Sequence, residues 1–469
     1  MSAPSTRSLF ASHALLPQGW ARDVLLAWDD GGTLTAVTEN ASQNSALSSR
    51  VPSDAPRIAS ALVPGMTNLH SHAFQRALAG LSEYRSTASG DSFWTWRDLM
   101  YRFAAAITPD HLEAIATQLY IEMLQAGFTA VCEFHYLHHD PAGQAYADPA
   151  EMSLRLAAAA RTAGIGLTLL PVLYQSAGFD GRAPREGQRR FINTTDGLLD
   201  IVSRVRAHGV HVGVAPHSLR AVGPQALREI VAGMHAIDAS APIHIHVAEQ
   251  KQEVQDCIDT RGARPVAWLL ANAPVDKRWC LVHATHLDDH ELRDLATSGA
   301  VAGLCPTTEA NLGDGTFRAA EYFEAGGAWG IGSDSHASVG AAEELRSLEY
   351  SQRLAHLHRN VLADDTHRDV AERLWLGALA GGAQASGRQL GGLAVGQRAD
   401  FVALDERTLE GLAPSQKLSS HVFASHGRNA VRDVWVGGRH TVHDGRHAID
   451  ARTCERFVVA RQALMNANR

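Results

Sequence analysis

Between residues 61 and 340, eight short apolar runs alternate with longer stretches whose apolar residues recur every three or four positions. The runs are 61–69, 128–134, 165–173, 210–216, 242–247, 279–283, 300–305 and 328–333. Strands buried on both faces read as continuous apolar runs, and alternation with helices requires parallel crossover connections. Segments such as Pro109 to Ala126 and Ala226 to Ala236 supply the helices. Eight strand–helix units in about 280 residues predict an α/β fold of the (β/α)8 TIM-barrel kind. A doubly wound open sheet is the competing arrangement. The lack of a GxGxxG after the first run weighs against it.

The ends of the chain follow another pattern. Residues 20–38, 390–405 and 431–447 carry β-type runs punctuated by Gly31-Gly32, Gly391-Gly392, Gly437-Gly438 and Asp444-Gly445. They predict a small β domain, a sandwich built from residues 1–60 and 386–469, beside a barrel over 61–385. Residues 86–92 and 176–190 read as long loops, and long ordered loops are more often functional than accidental.

Composition narrows the function. The net charge is −8, which argues against a basic nucleic-acid groove. Only Lys251, Lys277 and Lys417 are lysines, so arginine, the better two-pronged grip for carboxylates, carries nearly all positive charge. Five scattered cysteines, an odd number with no CxxC pair, predict no disulfide framework. No apolar run reaches the ~18 residues of a membrane helix, and Met1 to Arg7 has no signal pattern. A cytoplasmic protein is expected.

In barrel enzymes the active site lies at the C-terminal ends of the strands. The first run ends on His70 and His72, whose i, i+2 spacing aims both imidazoles the same way. The fifth ends on His246 and Glu249, the sixth on His283 and the eighth on Asp334. Four histidines and an aspartate would meet at one mouth, and neutral imidazole suits zinc, iron, nickel and copper. His244 shares a face with His246 but is set aside, since a strand bend can turn it away. His217, His286 and His336 sit near strand ends as supporting or merely polar groups. His135, His138 and His139 read as an exposed histidine-rich loop.

This pattern resembles the amidohydrolase superfamily over nearly the whole chain, including Gly392-Leu393-Ala394-Val395-Gly396-Gln397-Arg398-Ala399-Asp400. The resemblance implies a metal held by His70, His72, His246 and Asp334. Many members hold two metals through a strand-4 lysine. Here that run, His211 to His217, has none, so one divalent ion, with zinc the expected identity, is implied. Three imidazoles and a carboxylate leave a position for water, whose pKa a metal lowers. Asp334 can then accept the water's proton, Glu249 can carry it to a leaving nitrogen, and His283 can orient the water or stabilise a tetrahedral adduct.

A narrower resemblance, to the formimidoylglutamate deiminases, rests on four stretches. These are Phe93-Trp94-Thr95-Trp96-Arg97, Glu133-Phe134-His135-Tyr136, Ala215-Pro216-His217-Ser218-Leu219-Arg220 and Gly187-Gln188-Arg189-Arg190-Phe191. It implies the small dianion N-formimidoyl-L-glutamate as substrate, N-formyl-L-glutamate and ammonia as products, and a place in histidine breakdown. It also implies substrate contacts from Gln75, Tyr136 and Arg220, and a homodimer in which Arg97 reaches the neighbouring site. Local structural roles are the alternatives for Arg97, Arg220 and Tyr136. A deaminase of purine, pyrimidine or triazine rings is the competing function. An assembly protein of this lineage would lack the ligand set. No nucleic acid or membrane partner is expected.

Overall fold

The computed structural model describes residues 7–42, 56–85, 92–424 and 430–467. Of the loop expected over 86–92, only Ser92 falls among the described residues, as the N-cap of helix Phe93–Ala106.

β1 (Arg7–Leu16), β2 (Gly19–Trp28) and β3 (Leu34–Thr38) form an antiparallel meander, and β4 (Arg57–Pro64) lies parallel to β1. The apolar run over 61–69 then proves to be two strands. β4 ends and β5 (Met66–Ser71) begins on either side of Gly65. A Cβ at Gly65 would fall 2.3 Å from the Thr129 side chain, so glycine is what lets the chain pass from one sheet to the other here.

β5 opens a parallel ladder that continues through β6 (Phe128–His135), β7 (Gly166–Leu173), β8 (His211–Val212) and β9 (Ala215–Pro216). A second parallel ladder holds β10 (Ile243–Val247), β11 (Trp279–His283), β12 (Val301–Leu304) and β13 (Ala328–Ile331). Single parallel bridges, Val214–Ile243 and Ser218–His246 on one seam and Ser71–Asp334 on the other, join the two. The arrangement is of TIM-barrel type with an additional domain. Every residue of β6 and β7 is buried, as strands covered on both faces must be.

β14 (Phe401–Leu404), β15 (Val431–Val436), β16 (Arg439–His443) and β17 (Arg446–His447) return to the first sheet, in the order β17-β16-β15-β14-β4-β1-β2-β3. Where a two-sheet sandwich is expected, the ladder is one continuous sheet. β4 pairs β1 on one edge and β14 on the other, so the two ends of the chain merge through it. Leu9, Leu16, Leu26, Leu62, Phe401 and Trp435 form its core. Residues 386–469 also hold helices Pro414–Phe423 and Asp450–Ala467, so the segment is not all β. The last helix docks on helix Pro109–Gln125, where Thr453 Oγ1 donates to Gln118 Oε1 at 2.7 Å. No helix among the described residues is long and apolar enough to cross a membrane. All five cysteines are free.

Candidate active site

Four strand ends bring their side chains together. His70 Nε2 lies 2.9 Å from His246 Nε2 and 3.1 Å from His72 Nε2. Asp334 Oδ1 lies 3.5 Å from His70 Nε2 and 3.3 Å from His72 Nε2. The approach depends on a residue without a side chain: a Cβ at Gly332 would stand 2.8 Å from the His70 backbone nitrogen. β13 thereby closes on β5, and Asp334 N donates to His70 O at 3.0 Å. Asp334 itself takes a left-handed conformation at φ 45°, turning its carboxylate off the strand line into the mouth.

The donor set fits a cation. His72 Nδ1 sits 2.8 Å from Phe134 O, and His246 Nδ1 sits 3.1 Å from His217 O. Each carbonyl can only accept, so each Nδ1 carries the proton and each Nε2 presents a bare lone pair. Those lone pairs both face His70. Burial, with the neighbouring imidazoles adding to it, holds His246 well below the usual histidine range. Burial also takes His70 down to about 3. Neutral imidazoles pointing lone pairs at one spot repel one another unless a positive ion lies between them.

The proton-handling groups stand beside this cluster. Burial pushes the Glu249 carboxyl up to about 7 against the opposing charges of His283 and Arg220. Burial alone would depress His283, but Glu249, a hydrogen bond donated to Glu309 and the charge of Asp334 raise it to about 10. Burial would raise Asp334, but His70, His72 and His283 hold it well below the carboxylate range. His283 Nε2 is 3.6 Å from Glu249 Oε1 and 3.8 Å from Asp334 Oδ2. A group near 7 between a deep acid and a cation can take up and release a proton at neutral pH.

The cavity over the cluster encloses about 550 Å³ including its mouth, and Gln75, Arg97, Tyr136 and Arg220 all line it. Gln75 Nε2 donates to Tyr136 Oη at 2.9 Å, leaving the buried Gln75 Oε1 without a partner. The buried Nε atoms of Arg97 and Arg220 also lack a partner, and neither arginine joins an ion pair among the described residues. Helix Phe93–Ala106 folds over its own barrel mouth, with Phe93 and Met100 in the cavity wall, so Arg97 enters the cavity of its own chain.

The amidohydrolase family profile matches residues 61–441. The chain belongs to the amidohydrolase family. It is 51% identical to the formimidoylglutamate deiminase of Pseudomonas aeruginosa, over 96% of this chain and 98% of that one. A 5-methylthioadenosine/S-adenosylhomocysteine deaminase of Natronomonas pharaonis is 28% identical over 99% of this chain and 97% of that one. Among solved structures, an amidohydrolase from Brucella melitensis superposes with a TM-score of 0.91 at 48% identity, covering 98% of this chain and all (100%) of that one.

The remaining histidines of this amidohydrolase divide by the partners they find. His244 Nε2 is taken by Ala385 O at 2.8 Å, away from the cluster. His286 is taken by Asp314 O at 2.9 Å. His336 lies beneath the ligands, on Ser71 Oγ at 3.1 Å and Ser333 Oγ at 3.0 Å. His135, His138 and His139 do not form an exposed loop. His135 and His138 are buried; His138 reaches Val172 O of β7 and His139 reaches Ile192 O. His217, left open by the sequence, lines the cavity, as do Tyr101 and Tyr174. Gln188 donates to both tyrosine hydroxyls, at 3.2 Å and 2.6 Å, which ties the long 176–190 loop to the site. Tyr101 and Tyr174 carry no motif of their own, and only the fold brings them to this wall.

Proposed function

We propose that this chain hydrolyses N-formimidoyl-L-glutamate to N-formyl-L-glutamate and ammonia, a cytoplasmic step of histidine degradation. One observation carries the reading: two half-buried arginines that join no ion pair among the described residues share a cavity with a hydrolytic His/Asp cluster. A half-buried guanidinium with an unpartnered Nε leaves hydrogen-bonding capacity unused, and a dianionic substrate supplies what is missing. The deiminase name of the Pseudomonas relative points the same way.

His70, His72, His246 and Asp334 would hold one divalent ion, zinc by the nitrogen-rich donor set. Such an ion supplies Lewis acidity and a water acidic enough to ionise near neutrality. Asp334 and Glu249 accept the proton as the water oxygen adds to the formimidoyl carbon. Glu249 returns that proton to the terminal nitrogen, the second water proton passes from the adduct hydroxyl to the same nitrogen by way of Asp334, the C–N bond to that nitrogen breaks, and ammonia leaves. The carbon keeps the water oxygen as the formyl carbonyl. His283 faces both carboxylates through Nε2 and stabilises charge on the adduct. Arg97 and Arg220 grip the substrate carboxylates, and Gln75 and Tyr136 orient the chain between. The same reading takes the two ladders as one closed barrel over 61–385, residues 1–60 and 386–469 as the additional domain, and a homodimer with a complete site in each chain.

Phe93, Trp96, Met100 and Phe191 give the cavity an apolar wall, which a flat ring would also fit, so ring deamination is the second reading. An ammonia-release assay with formimidoylglutamate, guanine, cytosine and S-adenosylhomocysteine decides between them. Turnover confined to formimidoylglutamate is expected. Preference for any ring substrate overturns the proposal.

A further inference from the structure

Three tyrosine rings stand round one phenylalanine in the cavity wall. Phe191, itself 1% exposed, has its ring centre 5.7 Å from that of Tyr101, 5.0 Å from that of Tyr136 and 6.0 Å from that of Tyr174. Tyr101 comes from helix Phe93–Ala106, Tyr136 from just after β6 and Tyr174 from just after β7, and all three line the cavity with Arg97 and Arg220. Phe191 closes the stretch Gly187-Gln188-Arg189-Arg190-Phe191, which the chemistry above does not use. Gly187 lets that stretch lie against the wall, since a Cβ there would stand 3.3 Å from the Tyr101 Cβ. Arg190 anchors it, donating from Nε to His139 O at 2.8 Å.

Gln188 decides which way the hydroxyls point. It is 2% exposed, and its Oε1 accepts from the Arg185 backbone N–H at 2.8 Å. An amide held by its oxygen presents its nitrogen on the other side. Nε2 donates to Tyr174 Oη at 2.6 Å and to Tyr101 Oη at 3.2 Å, which employs both of its protons. Each hydroxyl is thereby an acceptor, and its own proton must go elsewhere. The two hydroxyls are close enough to bond to each other, which takes up one of their two protons at most. The other is left for the cavity. Burial keeps the Tyr174 phenol well above its ordinary range, so it stays a neutral O–H donor, with Arg220 and Arg97 near enough to oppose the shift. We propose that Tyr101 and Tyr174 form a further contact for a carboxylate in the cavity, and that Gln188 is the positioning residue that turns their free proton towards it. The arginines supply charge, and the hydroxyl adds a charge-assisted bond of fixed direction. The identity of the substrate rests on the proposed hydrolysis; the carboxylate contact does not.

Calorimetry on the full-length, metal-loaded protein with glutarate, an unreactive dianion, tests this. Wild type should bind glutarate. A variant carrying both Tyr101→Phe and Tyr174→Phe should bind it roughly 10-fold or more weakly, as for one lost bond to a charged group. Gln188→Met should also weaken binding, since the hydroxyls then turn freely. Placed in the paired Phe variant, Gln188→Met should cost nothing more, because no hydroxyl remains for the amide to turn. If Gln188→Met is insoluble, Gln188→Ala takes its place. With formimidoylglutamate the same losses should fall on KM rather than kcat. Absence of glutarate binding to wild type, unchanged affinity in the paired Phe variant, or a Gln188 loss as large without the hydroxyls as with them overturns the inference. Wild-type protein that binds glutarate in this way yet leaves formimidoylglutamate untouched would instead sink the hydrolysis reading and leave the carboxylate contact standing.

Discussion

Arg97 and Arg220 converge on one ring: their guanidinium carbons lie 4.4 Å and 6.0 Å from the centre of Trp94. Two like charges drawn to one ring repel each other, and an anion between them would relieve that repulsion. Arg97→Ala and Arg220→Ala should each raise KM. Losing one charge-assisted bond of about 1.5–3 kcal/mol lowers kcat/KM by roughly 10–100-fold. Because Arg97 lines its own chain's cavity, mixed dimers of Arg97→Ala and Asp334→Asn should recover no activity. Recovery towards half of wild type, with mixed dimers verified by mass, would show that Arg97 serves the partner after all.

Asp334→Asn should abolish turnover, since an amide cannot take a proton from water. Glu249→Gln should lower kcat by the ~10²–10⁴-fold expected of a positioned acid–base group. Steady-state kinetics on both variants check this, and near-normal kcat in either removes that residue from the proposed chemistry.

Metal removal should weaken the fold as well as stop the reaction. His70 Nε2 stands 2.9 Å from His246 Nε2 and 3.1 Å from His72 Nε2, a crowding of donor atoms that a bound cation relieves. An ion at ~1,000 times its dissociation constant contributes about 4 kcal/mol. Chelation should therefore lower the melting temperature, and one equivalent of zinc per chain should restore it. A need for two equivalents would contradict the single-ion reading.

Glu133 gives a pH prediction from directly behind the ligand strand. Its carboxyl takes hydrogen bonds from Ser71 Oγ at 2.5 Å, Ala73 N at 2.7 Å and Tyr120 Oη at 3.2 Å. Burial nonetheless raises it from 4.5 to about 7. Between those values the folded chain binds more protons than the unfolded one, so this group's contribution is present below 4.5 and is lost as the pH rises towards 7. Glu133→Gln should be less stable than wild type at pH 5, by about 1–3 kcal/mol for a disturbed buried network, and the gap should narrow by pH 8. Urea unfolding at the two pH values measures it; a gap that widens would mean the carboxylate form is the stable one.

Much of this molecule was legible in its residues. Continuous apolar runs separated by helical spacing signal parallel strands because a strand covered on both faces has no polar side to show. Strand-end histidines signal a mouth because alternation on a strand is strict, so His70 and His72 had to point together. Side-chain type and period are local properties, and a chain carries them wherever it folds. Other features are set only by contact between distant segments. The passage of one apolar run between two sheets depends on Thr129 crowding Gly65. The single eight-stranded sheet exists because β4 finds β1 and β14 on its two edges. The burial of His135 and His138 follows from segments distant in the chain, such as β7, whose Val172 O meets His138, and no local pattern of polarity reveals it. Arg97 was readable as a carboxylate grip, but which chain's cavity it enters depends on how helix Phe93–Ala106 folds back over the mouth. Gln188 was legible as part of a motif, but its neighbours were not: the amide meets Tyr101 and Tyr174, 87 and 14 residues back in the chain, only because the loop folds onto the cavity wall, and hydrogen bonds of that reach leave no mark on local sequence.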